Sequence, residues 1–138
     1  MERPQSADEA TIVEFGVRTA RTIGSPAYPA EEGRLRERVT SDFRRSFSPA
    51  GMARQMAAIV ANGDRRPVLR RIAAPTLVIH GDADPLVPLA GGEDTAASIP
   101  GAALHVIAGM GHDLPVELTG EIAGAIARHA RSARPLQS

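Results

Sequence analysis

The sequence predicts an α/β fold in which helices up to about residue 65 precede a β-α-β-α unit with parallel strands. Two observations carry this reading. Apolar residues recur at helical spacing through the first part of the chain. From Ala74 onward the period changes: two short apolar runs, residues 74–80 and 103–107, lie either side of a helical segment, with glycine close after each. A short continuous apolar run suits a strand buried on both faces, as in a parallel sheet. Two such strands separated by a helix form a crossover unit.

The elements follow in order. The first helix is expected over residues 8–23, with Ile12, Val13, Val17 and Ala20 on one face. Gly24 ends it, and Gly24-Ser25-Pro26-Ala27-Tyr28-Pro29 is a loop. In the second helix Leu35, Val39, Phe43 and Phe47 recur every four residues, and Arg34, Arg36, Glu37, Arg38, Arg44 and Arg45 form a solvated surround. Ser48 is placed as an N-cap and Pro49 at the first helical position, where its missing N–H costs nothing. Met52, Met56, Ile59 and Val60 are the expected buried face of this third helix. Asn62-Gly63 closes it, and Asp64 is placed to cap a short helix with Leu69 and Ile72 inward. After the first strand a helix is expected over residues 90–99, and Pro100-Gly101 turns the chain. The last helix, residues 116–131, has Leu118, Ile122, Ala125, Ile126 and His129 on one side, and the tail after Ser132 is expected to fray. The chain is therefore divided into residues 1–65 and residues 66–138.

Composition narrows the function. At 138 residues, 43% hydrophobic and 23% charged, the chain is an ordinary globular length and can bury a core, but with 3% aromatics Ala and Val must fill much of it. The net charge is zero, which gives no reason to expect nucleic acid or an anionic membrane as partner. All 16 basic residues are Arg, a habit of GC-rich coding rather than a cluster. There is no cysteine, hence no disulfide, thiolate metal site or thiol nucleophile. The N-terminus is polar and no apolar run approaches a membrane span, so a cytoplasmic protein is expected.

In parallel α/β sheets, ligands bind beyond the carboxyl ends of the strands. Two polar segments are expected there: His80-Gly81-Asp82-Ala83-Asp84-Pro85-Leu86-Val87-Pro88 after the first strand, and Gly109-Met110-Gly111-His112-Asp113-Leu114-Pro115 after the second. A carboxylate and an imidazole thus share one rim. An imidazole can take a proton from a nucleophile and pass it to a leaving group, and a carboxylate on its other nitrogen fixes the tautomer. The glycines before His112 permit a tight turn.

These loops resemble the last two catalytic loops of the α/β-hydrolase family, where the acid sits in a pattern like G-x-x-D-x-x-V/x-P and the histidine in G-x-G-H. Here Gly81-Asp82-Ala83-Asp84-Pro85-Leu86-Val87-Pro88 and Gly109-Met110-Gly111-His112 match. The resemblance covers about residues 66–130 and implies that Asp84 is the acid and His112 the base of a Ser-His-Asp triad, in the chain order of that fold. It implies the C-terminal part of such an enzyme, with residues 1–65 as the helical cap. The cap stretch from Ile23-Gly24-Ser25-Pro26 to Ser48-Pro49-Ala50-Gly51-Met52 is similar to bacterial esterases of the aclacinomycin methylesterase type. A small-molecule ester substrate is implied, with no cofactor and no metal.

The nucleophile is not in the sequence. Ser6, Ser25, Ser41, Ser46, Ser48, Ser98, Ser132 and Ser138 all lack the G-x-S-x-G elbow, and no Asp stands in one. Gly24-Ser25-Pro26 is nearest, but proline removes the N–H an oxyanion hole would use. The elbow is expected upstream of Met1, and this chain alone is expected to be inactive. Two strands cannot close a sheet, so self-association through the open edge is also expected.

Plainer roles stand beside these. Asp84 before Pro85 could cap a turn, and Asp82 is the alternative acid, with bonding of the loop backbone its better-supported role. His112 could be a surface histidine. His80 is expected to make a structural hydrogen bond, and His105 and His129 to be structural or solvated. Their spacing argues against zinc. Asp113 is expected to cap its loop or the next helix. Met52 and Met56 default to core packing, and with Met110 could touch substrate in a complete enzyme. Two rival functions remain: a non-catalytic binding or dimerisation module, and lyase, peroxidase or dehalogenase chemistry on the same fold.

Overall fold

The computed structural model describes residues 8–133, and the tail beyond residue 133 lies outside the described residues. The chain forms two compact units. The first holds the helices up to Thr22 and from Ala30 to Arg65; the second joins the loop Ile23–Pro29 to everything from Arg66 onward.

In the first unit, α1 (Glu9–Ile23) begins where Asp8 Oδ1 accepts a hydrogen bond from the Ala10 N–H at 2.9 Å. α2 (Glu32–Arg45) is capped by Glu31, whose carboxylate accepts from the Gly33 and Arg34 N–H groups. Those donors hold the Glu31 carboxyl below its usual value. Val13, Val17 and Leu35 form the buried cluster, with Ala20, Val39 and Phe43 against it. Three ion pairs, Glu9–Arg44, Glu14–Arg36 and Arg21–Glu32, run in opposite chain directions, so α1 and α2 are antiparallel. All are exposed and each is worth about 0–1 kcal/mol, so the apolar stripe holds the pair together. The arginine face expected to be solvated therefore contributes Arg36 and Arg44 to orienting the pair.

Two expectations are corrected here. Phe47 does not extend the α2 stripe, because the helix ends at Arg45; its ring instead lies 5.0 Å from that of Phe43. α3 (Pro49–Asn62) starts as expected, with Ser48 Oγ accepting from the Gly51 N–H and Pro49 at the first position. Its apolar residues are not a buried face: Met52, Met56, Ile59 and Val60 are 49–78% exposed. A helical stripe shows which face can be covered but not that a cover exists, and α3 has no buried residue.

In the second unit, the short α4 (Arg66–Leu69) leads to β1 (Leu77–Gly81), α5 (Leu89–Ser98), β2 (Ala103–Ile107), a 3-10 turn (Val116–Leu118) and α6 (Thr119–Ser132). β1 and β2 pair in parallel, from Leu77 opposite Ala103 to Gly81 opposite Ile107. α5 lies against both strands and α6 against β1. Ile107, Met110 and Leu118 form the buried core, with Tyr28, Ile79 and Ile122 packed on it. Burial of the strands on both faces is not met: Leu104 and Val106 are about 40% exposed, because among the described residues the sheet has two strands and few covering elements. Ile126 also falls outside the buried face expected of the last helix: it is exposed, while Leu118 in the preceding turn and Ala125 of α6 are buried. No helix among the described residues is long and apolar enough to cross a membrane.

Candidate active site

Both strands of the sheet end at the same rim, because they are parallel and in register, and their following loops lie side by side. The loop after β1 is pinned at its neck. His80 Nε2 lies 2.9 Å from the Val87 carbonyl oxygen and, since a carbonyl only accepts, must donate to it. Inside this loop Asp84 Oδ1 accepts from the N–H groups of Leu86 and Val87 at 2.8 and 2.9 Å. The carboxylate is thereby fixed by its own backbone, leaving Oδ2 free to face the neighbouring loop. Oδ2 lies 2.8 Å from His112 Nδ1.

The environment of Asp84 sets its charge. Its side chain is only 6% exposed, and burial alone would raise its carboxyl pKa. The Val87 N–H, the His112 imidazole and the Leu86 N–H more than offset this and hold the group below its ordinary value. At neutral pH the carboxylate is therefore ionised and acts only as an acceptor, so the hydrogen on the neutral ring sits on Nδ1. Nε2 is then a lone-pair base, and it has no hydrogen-bond partner among the described residues. The ring is 43% exposed and lies in an open depression of about 310 Å³ with Asp84, Val87, Met110 and Leu114.

The His112 turn is held from two sides. On one side is the acid loop: Asp82 Oδ1 accepts from the Gly109 N–H at 2.6 Å, the Ala83 N–H donates to the Met110 carbonyl, and the Asp82 N–H to the Ile107 carbonyl. Asp82 therefore bonds loop backbone, although in the neighbouring loop. On the other side is the segment 23–29. The His112 N–H donates to the Ile23 carbonyl at 2.7 Å, the Ala27 N–H to the Gly109 carbonyl, and the Gly111 N–H to Ser25 Oγ at 2.8 Å. Gly109 has φ 70°, which a side chain would strain. A Cβ on Gly111 would meet the Gly24 carbonyl oxygen at 2.4 Å, so only glycine allows the segment this close.

Ser25 and Asp113 are where sequence reasoning fell short. Among the described residues Asp113 caps neither its own loop nor α6. Its Oδ1 accepts both the N–H and the hydroxyl of Ser25, which is 4% exposed. Gly24-Ser25-Pro26 invites the question of a nucleophile, and the hydroxyl proton is committed to Asp113 instead. His105 Nε2 pairs with Glu121 at 3.0 Å, and His129 Nε2 is buried without a partner among the described residues. No group of three or more His, Asp or Glu side chains that could hold a metal occurs among the described residues.

Two parallel strands joined through a helix, with an acid loop and a histidine loop on one rim, suit the core of an α/β-hydrolase. The family model for the alpha/beta hydrolase fold matches residues 11–117, and the chain belongs to this family. Rhodomycin D methylesterase of Streptomyces peucetius is 29% identical over 135 residues, covering 96% of this chain and 44% of its own length. A pimeloyl-[acyl-carrier protein] methyl ester esterase of Xanthomonas axonopodis is 32% identical over 122 residues, covering 79% of this chain and 47% of its own length. The crystal structure of an esterase from Rhodococcus superposes with a TM-score of 0.67 at 19% identity, over 94% of this chain and 45% of that one, a likeness of fold. The chain thus spans about half the length of these relatives.

Proposed function

We propose that this chain carries the acid and the general base of a serine-type carboxylic ester hydrolase, with residues 1–65 as its cap and residues 66–138 as the C-terminal part of its core. The observation that carries the reading is the 2.8 Å contact between Asp84 Oδ2 and His112 Nδ1, with Nε2 left open. In this reading His112 Nε2 takes the proton of a serine hydroxyl as that oxygen attacks the ester carbonyl, then delivers it to the departing alkoxide. A water, deprotonated by the same nitrogen, attacks the acyl-enzyme carbonyl, and Nε2 returns that proton to the departing serine oxygen as the acid is released. Asp84 holds the tautomer and stabilises the imidazolium. The serine elbow and the oxyanion donors belong to sequence outside this chain. Two relatives are named for methyl esters, which supports a methyl carboxylate ester as substrate. The exposed Leu86, Val87 and Leu114 would offer it an apolar surface. A cytoplasmic location belongs to the same reading, and the lack of cysteine is compatible with a reducing compartment.

The test is complementation. A relative's N-terminal part, with its sheet and G-x-S-x-G elbow, is supplied in trans or fused, and methyl ester hydrolysis is followed. Restored turnover that disappears with His112→Ala supports the assignment; turnover that survives His112→Ala sinks it.

One observation favours a second reading for the chain alone. Among the described residues no serine hydroxyl bonds His112, and the Ser25 hydroxyl is committed elsewhere. By itself the chain would then be a binding or dimerisation module. Defined stoichiometry without ester turnover, in the presence of the complementing part, would select that reading.

A further inference from the structure

We propose that Ser25 and Asp113 are positioning residues for His112: together they clasp the Gly109–His112 turn from the side opposite the acid loop and so set the reach of the imidazole to Asp84. The inference rests on the reading of His112 as a base, and deepens it. A serine hydroxyl has one proton to donate and lone pairs to accept with. Here the proton goes to Asp113 Oδ1, and a lone pair takes the Gly111 N–H at 2.8 Å. Asp113 Oδ1 also takes the Ser25 N–H at 3.0 Å. Ser25 thereby bonds both neighbours of His112, since Gly111 precedes that residue and Asp113 follows it.

The backbone of His112 is fixed on the same side. Its N–H donates to the Ile23 carbonyl at 2.7 Å, two residues before Ser25. The Asp84 side of the contact is stitched separately, by the Leu86 and Val87 N–H groups. The pairing therefore needs two independent supports, one for each partner. An acid loop that holds Asp84 alone leaves the imidazole to swing about a turn built on glycines. Ser25 is buried, as are Gly111 and Met110, so no water is placed to replace the hydroxyl at Gly111 without displacing the segment. Asp113 touches neither Asp84 nor the His112 ring through any hydrogen bond among the described residues, which makes its role indirect.

The test uses the whole chain and needs no turnover. Long-range proton–nitrogen NMR reads the His112 ring: a carboxylate-bonded Nδ1–H gives a downfield, slowly exchanging proton. It is measured in the wild type, Ser25→Ala, Asp113→Ala, Asp113→Asn and Asp84→Asn, with backbone shifts of β1, β2 and α6 as the control for folding. The expected result is that Nδ1–H exchange accelerates at least about ten-fold in Ser25→Ala and Asp113→Ala. It should stay near wild type in Asp113→Asn, which keeps the accepting Oδ1. Unchanged exchange in Ser25→Ala and Asp113→Ala overturns the clasp. A downfield proton that persists in Asp84→Asn instead removes the Asp84–His112 pairing, and with it the base reading, which separates the two failures. Where the alanine variants do not fold, amide exchange in the wild type decides: protection of the Gly111 and His112 N–H groups is expected, and exchange at free-peptide rates overturns the clasp.

Discussion

Asp84 divides its carboxylate between two tasks: Oδ1 accepts two N–H groups of its own loop, and Oδ2 meets His112 Nδ1 at 2.8 Å. The first task makes the second possible, because an unsupported carboxylate on an exposed loop would not hold one orientation. Asp84→Asn keeps the shape but puts an amide at this position. An amide whose nitrogen faces Nδ1 forces the hydrogen onto Nε2, the nitrogen that acts as base in the proposed reaction. In the complemented enzyme, Asp84→Asn is expected to lower kcat about 10³–10⁴-fold with KM nearly unchanged. A loss confined to KM would show that Asp84 binds substrate instead of orienting the base.

The same carboxylate predicts a response to acid. Burial pushes the Asp84 carboxyl up, but the Val87 N–H, the His112 imidazole and the Leu86 N–H bring it below the ordinary value of 3.8. The unfolded chain therefore takes up this proton at a higher pH than the folded chain does. The stabilisation is complete above the unfolded value and is lost as pH falls from about 4 through the lower folded value. Glu14, lowered by its hydrogen bond to Arg36, acts in the same direction, as does Glu31. Urea midpoints should fall between pH 7 and pH 3, and fall less in Asp84→Asn. An equal fall in both proteins would assign the acid sensitivity to the glutamates.

The sequence made the chemistry of the rim more readable than its scaffolding. Strand ends followed by Asp84 and by Gly-Met-Gly-His112 are local patterns, and a parallel pairing of β1 with β2 necessarily brings them to one edge. Helix starts were readable for the same reason: Ser48 and Pro49 act within one turn. What could not be read depends on distant partners. Ser25 and Asp113 are separated by 88 residues, and neither carries a local signal of the other. The apolar stripe of α3 failed similarly, since Met52 to Val60 state a preference for cover without specifying any. The segment 24–29 reads as a loop after a helix, and nothing in its composition tells that it belongs to the compact unit of the strands.

Gly109 should be hard to replace in the His112 turn. It has φ 70°, and a Cβ there would lie 2.4 Å from the Ala27 Cβ. Gly109→Ala thus carries both backbone strain and a steric clash, and should cost about 1–3 kcal/mol. Adding Ala27→Gly removes the clash and leaves the strain, so the double variant should recover part of the loss. Urea unfolding of the three proteins measures this. A Gly109→Ala variant within about 0.5 kcal/mol of wild type would mean that the segment 23–29 does not hold the turn this closely.

Self-association should dominate the behaviour of the isolated chain. β1 and β2 pair only with each other among the described residues, so each presents an outer edge with no strand on it. Leu104 and Val106 are exposed on β2, and Ile59 and Val60 on α3. Both surfaces are apolar, but only a strand edge also offers backbone donors and acceptors to a second copy. Sedimentation velocity at about 100 µM is expected to show concentration-dependent oligomers. Leu104→Lys with Val106→Lys should shift them toward monomer, because charge on a strand opposes stacking of further strands. Ile59→Glu with Val60→Glu should have the smaller effect. The reverse ranking would move the association to the α3 face, and a monomer at that concentration with cooperative, high-temperature unfolding would remove it altogether.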